Sequence, residues 1–247
     1  MRRFYHSTTL TLNEIIKLDV FAARHLVQVL RAKVAEKAIL FNGDGYDYEV
    51  QIQSIIKHDV SVLVLAKNKN INESSLCIHL YQALSTNDKM DWVIQKAVEL
   101  GVQKITPLLT QRSQVKLKHE KKDKKIHHWQ QIAIAACEQS GRSVIPQIYS
   151  ITTIEHCLQE MSPIDKHERR FVLNPYGKQG LTFEGVNQNP GEVKLFIGPE
   201  GGFTEDEINF IHSQAFESLV LGPRILRTET APIAGVAILQ YIFGDFV

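Results

Sequence analysis

Three apolar runs in the last third of the chain finish alike: V-L-N-P at 172–175, F-I-G-P at 196–199 and V-L-G-P at 220–223. Proline cannot donate to a strand ladder and locks its own φ, so each run must stop there in a rigid turn. From Leu76 onward CIHLYQAL, KITPLLT, RRFVL, VKLFI and SLVLG have the apolar, β-rich character of strands. Helical patterns lie between them: 88–100, with Asn87 placed to cap it and Gly101 to end it, and 124–139. A third helix, DEINFIHSQA, follows a capping box of Thr204 and Glu207, and a fourth is the apolar C-terminal stretch 231–243. Such alternation predicts an α/β fold with a mainly parallel sheet and helices on both faces. In open sheets of that kind ligands bind at the carboxyl ends of the strands. Three Asn/Gly-Pro turns there would offer bare backbone N–H and C=O groups to one small ligand, a surface suited to the edge of a purine base.

The first 70 residues read differently. KAILFNG and YDYEVQIQSII flank the turn Asn42-Gly43-Asp44-Gly45, a strong hairpin signal, and 60–66 is a third strand. A small β barrel or meander carrying a short helix over 19–31 accounts for this part. The polar stretch KNKNINESS at 67–75 reads as a linker, placing two domains at 1–72 and 73–247.

Of the 247 residues 44% are hydrophobic and 22% charged, enough to bury a core and to exclude wholesale disorder. Cys77, Cys137 and Cys157 lack C-x-x-C spacing, which argues against a disulfide framework or a cysteine-built zinc site. The start MRRFYHSTTL has no apolar h-region, and the apolar C-terminal stretch is 13 residues, short of the ~20 of a membrane span. A soluble cytoplasmic protein is expected. The formal net charge of +1 hides an asymmetry: 89–142 carry 11 basic and 5 acidic residues, 143–247 carry 7 and 13. Six lysines fall within 116–128, a run that can hold phosphates as point charges or can simply be a solvated helix face.

Two motifs carry chemistry. The loop Gly198-Pro199-Glu200-Gly201-Gly202-Phe203 precedes a helix but lacks the Lys and Ser/Thr of a P-loop, and Glu200 would repel a phosphate, so a neutral or cationic ligand fits it better. LGPRILRTETAP at 221–232 places Arg224 and Arg227 before a helix N-terminus. Cations oppose the dipole there and need another reason to be present.

These motifs, with RRFYH, HLVQVLR, IQKAVELGV, ITPLLTQRS and WQQIAIAACEQSGR, closely resemble the RsmE family of ribosomal RNA uridine-N3 methyltransferases in the SPOUT superfamily. The resemblance covers nearly the whole chain. It implies a PUA-like N-terminal β barrel that binds RNA, a SPOUT-type parallel sheet with a C-terminal deep trefoil knot, and a homodimer. It implies S-adenosyl-L-methionine as the cofactor, no metal, and a uridine of 16S ribosomal RNA within the 30S subunit as the target. The cofactor site then maps onto Leu173, Asn174, Ile197, Gly198, Glu200, Gly201, Gly202, Leu221, Gly222, Leu226 and Thr230. Catalytic candidates are Arg227 and Glu229, with Glu138 and Arg142 from AACEQSGR behind them. RNA contacts are expected from Arg2, Arg3, Arg24, Arg31 and Arg112, and from Lys121, Lys122, Lys124 and Lys125 of the lysine run.

Methylating uracil N3 removes an imide proton while the ring carbonyls gain negative charge. An arginine near a carbonyl stabilises that anion, and a carboxylate, Glu229 or Glu138, accepts the proton. Three rivals stand beside this reading. Another SPOUT RNA methyltransferase would act on a ribose 2′-hydroxyl or a tRNA base. A non-enzymatic RNA-binding ribosome-assembly protein would need the basic surface but no cofactor loops. A nucleoside-triphosphate switch is disfavoured by the missing P-loop lysine.

Overall fold

The computed structural model describes residues 2–24, 26–27, 31–57, 59–113, 119–177 and 190–246. By its internal contacts the chain forms two units, Met1–Glu73 with Ile134–Ile145, and Ser74–Ala133 with Pro146–Val247.

The first unit is a five-stranded sheet built from β1 (Arg3–Tyr5), β2 (Ile15–Lys17), β3 (Lys37–Phe41), β4 (Tyr46–Ile56) and β5 (Asp59–Lys69) in the order β1-β3-β4-β5-β2. Strands β3, β4, β5 and β2 pair antiparallel and β1 pairs parallel with β3. In the turn at 42–45, Asn42 Oδ1 accepts from the Asp44 amide and Asp44 Oδ1 from the Tyr46 amide. Period-two alternation in β4 and β5 puts Val50, Ile52, Val60, Val62 and Val64 at 0–1% exposure. Each such side chain contributes about 1.5–3 kcal/mol of burial. The helix expected over 19–31 is shorter: α1 spans Val20–Arg24, and His25 and 28–30 lie outside the described residues. Strand β5 also runs on to Lys69, into the stretch read as linker.

Segment 134–145 joins this unit through polar groups. Arg3 forms a fork on Asp47 at 2.7 and 2.9 Å and donates to Ser143 Oγ and the Arg142 carbonyl. Glu73 accepts from Arg142 Nε and from the amides of Ser143 and Val144. Asn70 donates to Asp47 and to the Gly141 carbonyl.

The second unit is mixed α/β. Its elements are β6 (Cys77–Ala83), α2 (Asn87–Glu99), β7 (Lys104–Leu109), α3 (His119–Ser140, shared with the first unit), β8 (Gln147–Ile148), β9 (Thr152–Thr153), α4 (Ile154–Gln159), β10 (Glu168–Leu173), β11 (Glu192–Ile197), α5 (Glu205–Ser213), β12 (Glu217–Leu219) and α6 (Thr230–Phe243). The sheet is parallel throughout, in the order β12-β10-β11-β6-β7-β8, with β9 also paired to β7. Helix α6 packs on α2, and its buried Gln240 donates to the Leu100 carbonyl and accepts from Ser74 Oγ. The expected capping box is present, with Thr204 accepting from the Glu207 amide and Glu207 from that of Thr204. Two expectations need correction. Thr86, not Asn87, occupies the N-cap of α2, without a side-chain cap bond. Strand β12 ends at Leu219, so the third Gly-Pro turn begins beyond the ladder rather than at its edge.

Candidate active site

The strands bearing the three turns, β12, β10 and β11, are neighbours in the sheet, and being parallel they end on one side. Their carboxyl ends open into a cavity of about 810 Å³. Its apolar lining includes Leu173, Ile197, Leu219, Leu221, Leu226 and Ala231, and the residues of the strand-end turns complete much of the rest. The Pro199 carbonyl accepts from the Gly202 amide at 2.9 Å and folds the β11–α5 loop back on itself. Gly202 has φ +67, and a Cβ there would enter open space, whereas a Cβ on Gly198 would press the Phe203 ring at 3.3 Å. The loop is a bare-backbone cradle.

Charge rims the cavity in two ways. Lys89, in the first turn of α2, bonds Glu200 at 3.1 Å and lies 3.5 Å from Glu229 Oε2, an oxygen shut off from solvent and without a hydrogen-bond donor among the described residues. The Glu200 hydrogen bond, aided by the Glu229 charge, holds the Lys89 ammonium above its ordinary range. Arg112 donates to the Gly201 carbonyl at 2.9 Å and ties down the loop. Arg224 and Arg227, by contrast, line the cavity and are exposed, and their side chains make no hydrogen bond or ion pair with any described residue. Their fork donors remain available to a ligand.

Ten of the eleven expected cofactor residues line this one cavity, and Thr230 does not. Of the catalytic candidates Arg227 lines it. Glu229 stands one residue beyond the lining Thr228, held by Lys89. Glu138 and Arg142 are not in the lining and belong to the first unit. There Glu138 accepts the Tyr5 amide at 2.9 Å, and Arg142, 2% exposed, pairs with Glu73 at 2.9 Å. Among the RNA candidates Arg3 turns inward to Asp47, whereas Arg2, Arg24 and Arg31 are exposed. On α3, Lys124 is exposed, Lys122 is half-buried and Lys125 lies over the Trp129 ring, while the side chain of Lys121 lies outside the described residues. Sequence reasoning missed Lys89. A cation in the first turn of a helix, like Arg224 and Arg227, opposes the dipole, and that was the available signal.

The family model for an RNA methyltransferase domain matches residues 72–240, and one for an RNA methyltransferase PUA domain matches 22–65. The chain is 39% identical to the ribosomal RNA small subunit methyltransferase E of Buchnera aphidicola subsp. Schizaphis graminum, over 98% of this chain and 97% of that one. With the protein of the same name from Bacillus subtilis it shares 34%, over 98% and 96%. It belongs to this methyltransferase family. In three dimensions the family member from Neisseria gonorrhoeae, solved bound to S-adenosyl methionine, aligns with TM-score 0.91 at 34% identity, covering 100% of both chains. A Legionella pneumophila chain in complex with the bound cofactor SAM aligns with TM-score 0.91 at 38% identity, over 99% of this chain and 98% of that one. Among the described residues no helix of this family member is long and apolar enough to cross a membrane.

Proposed function

We propose that this chain uses S-adenosylmethionine to methylate N3 of a uridine in 16S ribosomal RNA of the small subunit, acting in the cytoplasm as a homodimer. One observation carries the reading: in a chain of this family, three neighbouring strand ends form a single cavity lined by two arginines whose side chains have no partner among the described residues. The residues fit the cofactor. Side chains at Gly198 or Gly201 would crowd Phe203 or Arg112, so the loop at 198–202 presents backbone, and the apolar walls at Leu173, Ile197 and Leu226 suit an adenosine. No lysine or Ser/Thr pair of a phosphate loop is present in the β11–α5 turn, and this cofactor carries no phosphate. When bound, S-adenosylmethionine supplies an activated methyl group.

The chain's own residues supply the rest. Arg227, with Arg224 beside it, donates to a uracil carbonyl as negative charge gathers on the ring. Glu229, the nominated carboxylate that neighbours the cavity, accepts the N3 proton, while Glu138 remains engaged with the Tyr5 amide. N3 lies on the Watson–Crick edge, so the base is taken unpaired or extruded. On this reading residues 1–72 are a PUA-like RNA-binding barrel, 73–247 the methyltransferase domain, and the strand-end turns the loops of a deep trefoil knot. Arg2, Arg24, Arg31, Arg112 and the lysines of α3 hold phosphates.

The test is a methyl-transfer assay on naked 16S RNA and on 30S particles from a strain lacking the enzyme, with the product nucleoside identified by mass spectrometry. The expected product is 3-methyluridine. A 2′-O-methyl nucleoside, or label in transfer RNA alone, overturns the assignment.

A further inference from the structure

The second unit holds another cavity, of about 730 Å³, whose lining shares no residue with the first. Its lining includes one face of the sheet, where Lys194 of β11, Tyr81 of β6 and Thr106 of β7 lie on adjacent strands, together with Tyr149 and α4. Three features of this cavity point to an anion. Tyr81 is 5% exposed, yet its hydroxyl has no hydrogen-bond partner among the described residues. The hydroxyl is not among the side-chain atoms shut off from solvent, so it is open to donate into the cavity that Tyr81 lines. Burial also pushes the phenol far above its ordinary range, so it stays a donor. Second, Lys194 and Arg170 both bond the single carboxylate of Glu168, leaving one excess positive charge in a group of side chains at most 11% exposed. Third, Lys122, from the lysine run of α3, lines the same cavity. His79, stacked on Tyr81 at 4.0 Å and on Tyr149 at 5.3 Å behind the lining, is driven to a pKa of about 3 by burial and the nearby lysines, so it adds no charge. The only carboxylate in the lining is Glu160, highly exposed and 3.5 Å from His156.

We propose that this cavity is a second binding site, separate from the cofactor cavity, for a nucleotide phosphate, with Tyr81, Lys194 and Lys122 donating to the phosphate and the base lying against Tyr149. A planar aromatic wall beside convergent donors distinguishes a nucleotide from a bare anion. The same chemistry serves a free mononucleotide or one residue of an RNA strand.

The probes are uridine 5′-monophosphate, uridine and inorganic phosphate, titrated by calorimetry into full-length protein saturated with S-adenosylmethionine, with tyrosine NMR signals as the locator. Uridine 5′-monophosphate should bind at least about tenfold more tightly than uridine and should shift Tyr149. Tyr81→Phe removes only an unpartnered hydroxyl, so folding is preserved, and it should weaken binding about tenfold, the effect of one hydrogen bond to a charged group. Lys122→Gln, on a helix surface, should weaken it severalfold. Displacement of the mononucleotide by single-stranded hexa-uridylate assigns the site to an RNA strand, and failure of displacement assigns it to the free nucleotide. Equal affinity for uridine, or parental affinity in both variants, overturns the proposal. None of these readouts uses methyl transfer, so they stand apart from the assay of the proposed reaction.

Discussion

Arginine has opposite situations in the two units. In the first, Arg3 is half-buried and Arg142 buried, with Asp47 and Glu73 as their counter-ions, and Arg3 also donates to the Arg142 carbonyl and the Ser143 hydroxyl. In the second, the side chains of Arg224 and Arg227 line a cavity with no partner among the described residues. All four are equally conspicuous in the sequence. The difference teaches that the partner, not the charge, decides the role: an engaged guanidinium holds a fold together, and an unengaged one beside a cavity is left for a ligand.

The largest expected effect breaks the engaged side. Arg142→Ala leaves the Glu73 carboxylate without its ion-pair partner, a loss of about 3 kcal/mol or more for a buried pair. Glu73 keeps two backbone amides, which holds the cost to the lower part of that range. Calorimetry should record a clear drop in Tm, while the single-turnover rate of the folded fraction stays near the parent's. A rate collapse at unchanged Tm would return Arg142 to the catalytic candidates.

Arg227→Ala should do the reverse. Losing one donor to a developing oxyanion lowers the single-turnover rate by about 10²–10³-fold. Stability and S-adenosylmethionine affinity should hardly move, because no described residue depends on this side chain. Arg227→Lys should rescue only in part, since a point charge does not reproduce the planar fork. Joint loss of Tm and cofactor affinity with the rate per bound enzyme intact would make Arg227 structural, like Arg142.

How these roles divide was only partly legible in the sequence. The main strands, the capping box and the turn at 42–45 follow from local pattern, although β5 runs past its expected end and β12 stops short of its own. The cavity's backbone loops were legible too, because proline after Asn or Gly is a local signal. The adjacency of β12, β10 and β11 was not, since neighbours in a parallel sheet are set by crossovers and not by residues within each strand. Lys89 escaped notice because its partners, Glu200 and Glu229, lie more than a hundred residues away in the chain. Arg3 and Arg142 were drawn toward RNA and catalysis for the same reason: composition reports a charge and not its counter-ion.

Gly202→Val sharpens the cavity side at smaller amplitude. At φ +67 a β-branched residue is strained whatever the space, at a cost of about 1–3 kcal/mol, and its Cβ would project where no protein atom lies within 4 Å. The cofactor should bind at least about tenfold more weakly in a protein that remains folded by circular dichroism. Unchanged affinity would remove this loop from the site.

The smallest effect lies in the acid response of the first unit. Burial would raise the Asp47 pKa, but hydrogen bonds from Arg3, Ser143 and Asn70 outweigh it and hold the carboxyl below its ordinary value. A group with a depressed folded-state pKa binds fewer protons folded than unfolded, so its stabilisation is present above the unfolded value near 4 and is lost as pH falls through the folded one. Asp47→Asn should therefore be less stable than the parent at neutral pH by on the order of 1 kcal/mol, the side chain being partly exposed. The gap should narrow as pH falls below about 4. Arg227→Ala, with no carboxylate partner to lose, should follow the parent's acid profile throughout. If Asp47→Asn instead kept the parent's full stability at neutral pH, the Arg3 fork would contribute no net stabilisation. The contrast between engaged and unengaged arginines would then rest on Arg142 alone.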